Sequence, residues 1–377
     1  MNIAINTLAL YKTKTGMGRY IVELIGRVPK EDNQTTFFVY LSKKNKKYFD
    51  LSQENIIVKK VSWFWSFPFF KILWEQIFLP FSLWKNNIKL YHAPGFTLPL
   101  WKPNNTRFVV TIADMTFFSH PEYHTWWKVL YFQSLIPFSL KKADAIITIS
   151  KNTKEDILQM QKIRISKEKI HAIPLGVDEH FTVQKEKNSM SILKKYQITT
   201  PYILFVGMLE PRKNVVGLIE AFVKISNKKM HKLVIVGKKG WKYHSIFQKV
   251  KELHLEKEVI FVGYVPDEDL PALYNTATCF VYPSFYEGFG IPVLEAMACR
   301  CPVITSKNSS LEEIGGDAAI FVNPYNIKTI KEAMELLLND QDERKKRQNA
   351  GLLQVQKFSW TIMAKKTKEI YVSLLNL

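Results

Sequence analysis

Short runs rich in Val, Ile and Phe alternate along the chain with longer stretches of helical periodicity, the pattern of buried parallel strands covered by helices. The first half predicts strands at Asn2–Asn6, Phe37–Leu41, Ile56–Lys60, Leu90–Ala93, Phe108–Ile112 and Ala145–Ile149. The second half predicts Tyr202–Val206, Leu233–Val236, Val259–Val262, Cys279–Tyr282, Val303–Thr305 and Ala319–Val322. Between them, Phe181 to Thr200 is polar and Lys-rich, with a short helix-like piece around Ile192. The expectation is an α/β chain with two six-strand units, and 377 residues are enough for two domains.

In open parallel sheets, ligands bind beyond the carboxyl ends of strands. Four marked loops fall at such ends. Thr15-Gly16-Met17-Gly18-Arg19-Tyr20 follows the first strand, and Ala113-Asp114-Met115-Thr116 follows Phe108–Ile112. Gly207 to Asn214 follows Tyr202–Val206, and Ser284 to Gly290 follows Cys279–Tyr282. Each half thus offers loops to one cleft. The last loop is the most informative. It carries two glycines and opens a helix at Pro292, where a missing N–H costs nothing and the N-terminus favours anions. Glu287 and Glu295, eight residues apart, flank that helix start. Backbone N–H groups for phosphate and carboxylates for hydroxyls suit a sugar diphosphate. Pro211-Arg212-Lys213 adds two cations on a stiffened turn, which suit a leaving diphosphate. Gly16-x-Gly18 is a weaker mark of the same kind.

Charge and composition narrow the partners. The net charge is +19, spread over both halves. It suits anionic membranes or phosphorylated substrates, and runs such as Lys43 to Lys47 are read as solvated faces. Nucleic acid is not expected, because the aromatic segment Trp63 to Phe70 has no basic residue among its rings. That segment and Lys71 to Trp84 are too interrupted for a transmembrane span. They form a membrane-touching patch, an aromatic core segment or a dimer surface, and sequence leaves these open. Three cysteines make no disulfide framework, and the chain opens directly on an apolar strand, so the expected place is the cytoplasm, at the inner face of the membrane if peripheral. No metal is expected. Asp267-Glu268-Asp269 matches Asp-x-Asp, but acidic residues in a first helical turn are ordinary, and His120 and His124 lack a zinc pattern.

The ordered set Gly16 to Tyr20, Trp74-Glu75-Gln76, His92-Ala93-Pro94, Thr111 to Asp114, Ala143 to Ser150, Ile173 to Asp178, Gly207 to Asn214 and Glu287-x7-Glu295 resembles the retaining GT-B glycosyltransferases of family-4 type. Within them it is most similar to bacterial mannosyltransferases that build O-antigens and other surface polysaccharides. The resemblance runs over nearly the whole chain. It implies two Rossmann-like domains facing a central cleft: residues 1–183 with a returning helix over 361–377, and residues 184–360. It also implies a nucleotide-sugar donor, GDP-mannose foremost with UDP-sugars as the alternative, a lipid-linked or oligosaccharide acceptor, and no cofactor. By the same resemblance, Arg212 and Lys213 neutralise the diphosphate and Glu287 meets the donor sugar. Glu295 binds the ribose. Gly16, Gly18, Gly207, Tyr264, Val265, Gly288, Phe289, Gly290 and Leu294 border the donor. Arg19 and His92 lie on the acceptor side. Two positions depart from the pattern. Ala113 stands before Asp114 where a His is usual, so His92 and Asp114 inherit its candidacy; Met208 stands where an Arg often follows Gly207. The readings outside this one are a nucleotide-sugar epimerase, for which the acid/base set is missing, and an inactive scaffold that binds glycan or nucleic acid.

Overall fold

The computed structural model describes residues 1–8, 10, 16–32, 34–62, 68–160, 163–199, 201–226 and 230–375. The chain forms two compact units, Met1–Gly176 with Ser359–Leu377, and Val177–Phe358. Thr15 of the first glycine turn and Trp63 to Phe67 of the aromatic segment lie outside the described residues.

Unit 1 holds seven parallel strands: β1 (Asn2–Asn6), β2 (Thr36–Ser42), β3 (Ile56–Val61), β4 (Leu90–Ala93), β5 (Arg107–Ile112), β6 (Ala145–Thr148) and β7 (Ile170–Ala172). Their order is β3-β2-β1-β4-β5-β6-β7. Six of these were expected; β7 is the addition. It is three residues long with one fully buried side chain, too short to show a pattern. Right-handed crossovers place Leu79–Lys85, Trp126–Lys142 and Lys151–Leu158 on one face of the sheet. There Leu79, Leu83, Ile136, Leu140 and Ile157 pack with Tyr91, Phe108 and Val110. Gly16–Arg27 and the final helix Trp360–Leu375 pack together on the other face. The return point is tight: a Cβ on Gly176 would lie 2.2 Å from the Trp360 backbone nitrogen, so only glycine fits.

Unit 2 holds β8 (Tyr202–Val206), β9 (Lys232–Val236), β10 (Val259–Gly263), β11 (Cys279–Tyr282), β12 (Val303–Ser306) and β13 (Ile320–Val322), all parallel, in the order β10-β9-β8-β11-β12-β13. Both sheets reverse strand order once, between β1 and β4 and between β8 and β11. Such reversals open a crevice at the carboxyl edge. In unit 2 this places the loops carrying Arg212 and Glu287 side by side.

The polar stretch around Ile192 is not a bare linker. Glu186–Lys195 is a helix packed against Leu270–Thr276. Asp269 holds the two together, accepting from Lys195 Nζ and Tyr196 OH, each at 2.6 Å. That use accounts for the third residue of the Asp-x-Asp match. The three cysteines are free and buried, and burial pushes the Cys279 thiol up to about 12.

Candidate active site

After β8 the chain runs through Glu210 into a 3-10 turn, Pro211–Lys213. Asn214 then takes the left-handed conformation (φ 54°), which asparagine tolerates better than most residues, and its Nδ2 donates to Pro324 O at 2.7 Å. A second strut comes from Phe285, whose N–H donates to Arg212 O at 2.9 Å. These bonds set the two cations against the loop after β11. Arg212 Nη1 donates to Tyr286 O and Glu287 Oε2, both at 2.7 Å, and Nη2 donates to Glu210 Oε1 at 2.9 Å. Lys213 Nζ donates to Glu287 Oε1 at 2.6 Å and to the Tyr282 hydroxyl at 2.5 Å. One carboxylate therefore holds both cations, one oxygen each.

The electrostatics follow from burial. Being buried would raise the Glu287 carboxyl, but Arg212 and then Lys213 outweigh it and hold it at about 2. Burial works against the Arg212 charge too, yet Glu287 and Glu210 lift the guanidinium above its ordinary value. Lys213 is lowered, by burial and then by Arg212, with Glu287 opposing. The Tyr282 hydroxyl is pushed well up by burial and by Glu287, so it stays neutral beside Lys213. The two cations differ in access: the Arg212 side chain is 22% exposed and that of Lys213 9%.

The loop ends on a helix built to receive it. Glu287 N–H donates to Ser309 Oγ at 3.1 Å, while Ser310 Oγ is shared between the carbonyls of Glu287 (2.8 Å) and Phe289 (2.7 Å). Gly290 has φ +116° and caps Ile291–Ala298; a Cβ there would meet Leu311 Cδ2 at 2.7 Å. Glu295 is almost fully buried and accepts from Tyr274 OH at 3.0 Å. Leu294 and Val265 are buried, Phe289 nearly so, and Gly207 donates its N–H to Val236 O at 2.9 Å. Tyr264, 41% exposed, lies under Lys238 Nζ, 4.1 Å from its ring centroid. The cluster thus brings Arg212, Lys213 and Glu287 together. Glu210 and Tyr282 complete it, and nothing in the local pattern marked either: one is an ordinary helix-start carboxylate, the other a strand aromatic.

In unit 1, Gly18 is buried, Arg19 half-buried and Gly16 exposed on the helix Gly16–Arg27. Asp114 Oδ1 accepts from Thr116 N (3.0 Å) and Thr116 Oγ1 (2.5 Å). His124 is the imidazole that the fold brings to this turn, 2.8 Å from Thr116 Oγ1 and stacked on Phe117. His92, the acceptor-side candidate, sits inside unit 1. It is fully buried, with Nδ1 2.5 Å from Tyr371 OH and Nε2 2.7 Å from Thr111 Oγ1, which in turn lies 2.9 Å from Tyr20 OH. In β4 alternate residues face opposite sides, so Tyr91 joins the core under Trp126–Lys142 and His92 meets the final helix.

Burial lowers His92 to about 3. A depressed folded value means that its contribution to stability is complete above the unfolded value of 6.5 and is lost as pH falls toward 3. His92→Gln is expected to flatten the stability loss between pH 6.5 and 4.5. At neutral pH, His92→Ala is expected to cost roughly 3 kcal/mol, since it strands buried hydroxyls and leaves a cavity. Denaturant midpoints across pH check both.

Residues 14–181 match the Glycosyltransferase Family 4 model and residues 189–353 the Glycosyl transferases group 1 model. The O-antigen chain mannosyltransferase B of Escherichia coli is 35% identical over 285 residues, covering 75% of this chain and 74% of that protein. The chain belongs to this glycosyltransferase family. The O-antigen chain mannosyltransferase RfbU of Salmonella typhimurium is 32% identical over 253 residues, 66% of this chain and 65% of its own. A Rickettsia africae glycosyltransferase superposes with TM-score 0.76 at 20% identity, over 99% of this chain and 98% of that one. Anabaena HepE, solved with UDP and glucose, gives 0.76 at 16%, over 99% of this chain and 100% of its own. The fold is GT-B, and the chain is a glycosyltransferase. Among the described residues, no group of three or more His, Cys, Asp or Glu side chains is placed to hold a metal ion, and no helix is long and apolar enough to cross a membrane.

Proposed function

We propose that the chain moves a mannosyl group from GDP-mannose to a growing, lipid-linked surface glycan, with retention at the anomeric carbon and without a metal ion, working at the inner face of an anionic membrane. The observation that carries this reading is the buried Arg212–Lys213–Glu287 cluster at the strand-order reversal of unit 2. The mannosyl assignment leans on the names of the relatives.

In this reading the acceptor oxygen forms its bond to the sugar C1 on the face from which the β-phosphate oxygen departs. The acceptor proton passes to that departing oxygen, so no protein nucleophile is needed. As the C1–O bond breaks, charge builds on the diphosphate, and in this reading Arg212 and Lys213 neutralise it. A well-placed donor of this kind is worth roughly 3–4 kcal/mol of barrier. Glu287 has two duties: it holds both cations in place before the donor arrives and then shares them with phosphate while meeting sugar hydroxyls. Glu295 takes the ribose, the N–H groups of Gly288 to Gly290 approach phosphate, and Tyr264 and Val265 border the base.

Nucleotide release from a panel of GDP- and UDP-sugars, in chelator, with and without membrane lipid extract, tests the reading. Release from GDP-mannose, stimulated by extract, is expected. Release from a UDP-sugar instead would replace the donor. Silence across the panel, with no nucleotide binding by calorimetry, would leave an inactive scaffold marked by Ala113.

A further inference from the structure

Lys213 is the more buried of the two cations, and its ammonium is held by two partners of different kinds. Glu287 Oε1 accepts from Nζ at 2.6 Å and brings a negative charge; the Tyr282 hydroxyl accepts at 2.5 Å and brings none. The difference matters to a phosphate site. A carboxylate that fixes an ammonium also cancels much of its field, whereas a neutral hydroxyl fixes its direction and leaves the charge for an arriving anion. An ammonium has three N–H donors. With two given to these acceptors, one is left for the diphosphate.

Tyr282 is also the member of the cluster that is rooted in the sheet. It ends β11, and its ring is buried and stacked near-parallel on Phe205 of β8 and on Phe280, two residues back, with centroids 5.9 and 5.7 Å away. Its carbonyl accepts from Thr305 Oγ1 of β12 at 2.9 Å, so three strands fix it. Lys213 and Glu287 sit instead on the loops after β8 and β11. Once Glu287 shares its oxygens with the donor sugar, the Tyr282 hydroxyl is the protein acceptor that stays on Nζ. We infer that Tyr282 is a positioning residue for transfer: its hydroxyl aims the Lys213 ammonium at the departing diphosphate without neutralising it. The inference rests on the proposed transfer and adds a residue to it that acts through Lys213.

The test is nucleotide release from GDP-mannose by the full chain across pH, for Tyr282→Phe, which keeps the stacked ring and removes only the oxygen. Its kcat is expected to fall about tenfold or more with KM little changed. Lys213 faces Glu287 and Tyr282 from the β11 side and Arg212 and Glu210 from its own loop. Only the hydroxyl changes, and losing it withdraws support from the charged ammonium, so the alkaline limb of kcat should move to lower pH. In a Lys213→Ala background the same change should add little. The control is Tyr202→Phe, which removes a buried hydroxyl of the same sheet, 2.6 Å from Leu273 O. It should lower the unfolding temperature and leave kcat and the limb as they are. Wild-type kcat and limb in Tyr282→Phe overturn the inference and leave the transfer reading standing. So does a loss that keeps the limb in place and adds in full to Lys213→Ala, because the hydroxyl is then structural. A wild type silent with the donor overturns both together.

Discussion

Alanine at both Arg212 and Lys213 is expected to lower donor turnover by at least a thousandfold, roughly 4 kcal/mol at the transition state. The loss should fall on kcat more than on KM, because charge on the departing diphosphate grows as the C1–O bond breaks. The two residues should not contribute alike. Arg212 is the more exposed and presents a planar fork, so Arg212→Lys, which keeps charge and loses the fork, should recover only part of the activity. Lys213 is nearly buried between Tyr282 and Glu287, and its replacement should also loosen the loop after β11. Steady-state kinetics on variants with wild-type circular dichroism check the claim, and unchanged turnover in the double variant would remove the phosphate assignment.

Glu287→Ala is expected to be the most destabilising single change in unit 2. It leaves two buried cations facing one another with only Glu210 to balance them, and breaking a buried pair in this way costs about 3–5 kcal/mol. For a unit of this size that lowers the unfolding transition by on the order of 10 °C. Glu287→Gln keeps the shape and loses the charge, so it should fall between. The pH dependence gives a sharper signature. Because the folded carboxyl lies at about 2, below its ordinary 4.5, its contribution is complete above pH 4.5 and is lost as pH falls toward 2. The gap between wild type and Glu287→Gln should therefore be widest above pH 5 and close in acid. A constant gap would mean that Glu287 acts through packing alone.

Twelve of the strands were legible, most of them because parallel strands buried on both faces must be continuous apolar runs, and the edge strand β3 through Ile56-Ile57-Val58. β7 was not, since three residues with one buried side chain leave no pattern. The short helix around Ile192 was legible as such; its placement was not, because it depends on Asp269, 74 residues from Lys195, and no local pattern shows such a bond. At the site, loop positions at strand ends pointed to Arg212, Lys213 and Glu287 separately. That one carboxylate holds both cations depends on the β8–β11 adjacency, a property of topology. His92 shows the limit from the other side. Alternation in β4 gives it a face, but not the tyrosine from the far end of the chain that occupies that face.

The most direct test of the account is transfer of labelled mannose from GDP-mannose to membrane lipid extract in chelator, with the anomeric configuration of the product read by NMR. The account predicts label in the lipid-extractable or polymer fraction, joined in the donor's own configuration, and no transfer by the Arg212→Ala/Lys213→Ala variant. Inverted product would contradict the retaining mechanism, and label that stays on the nucleotide while GDP fails to bind would contradict the site itself.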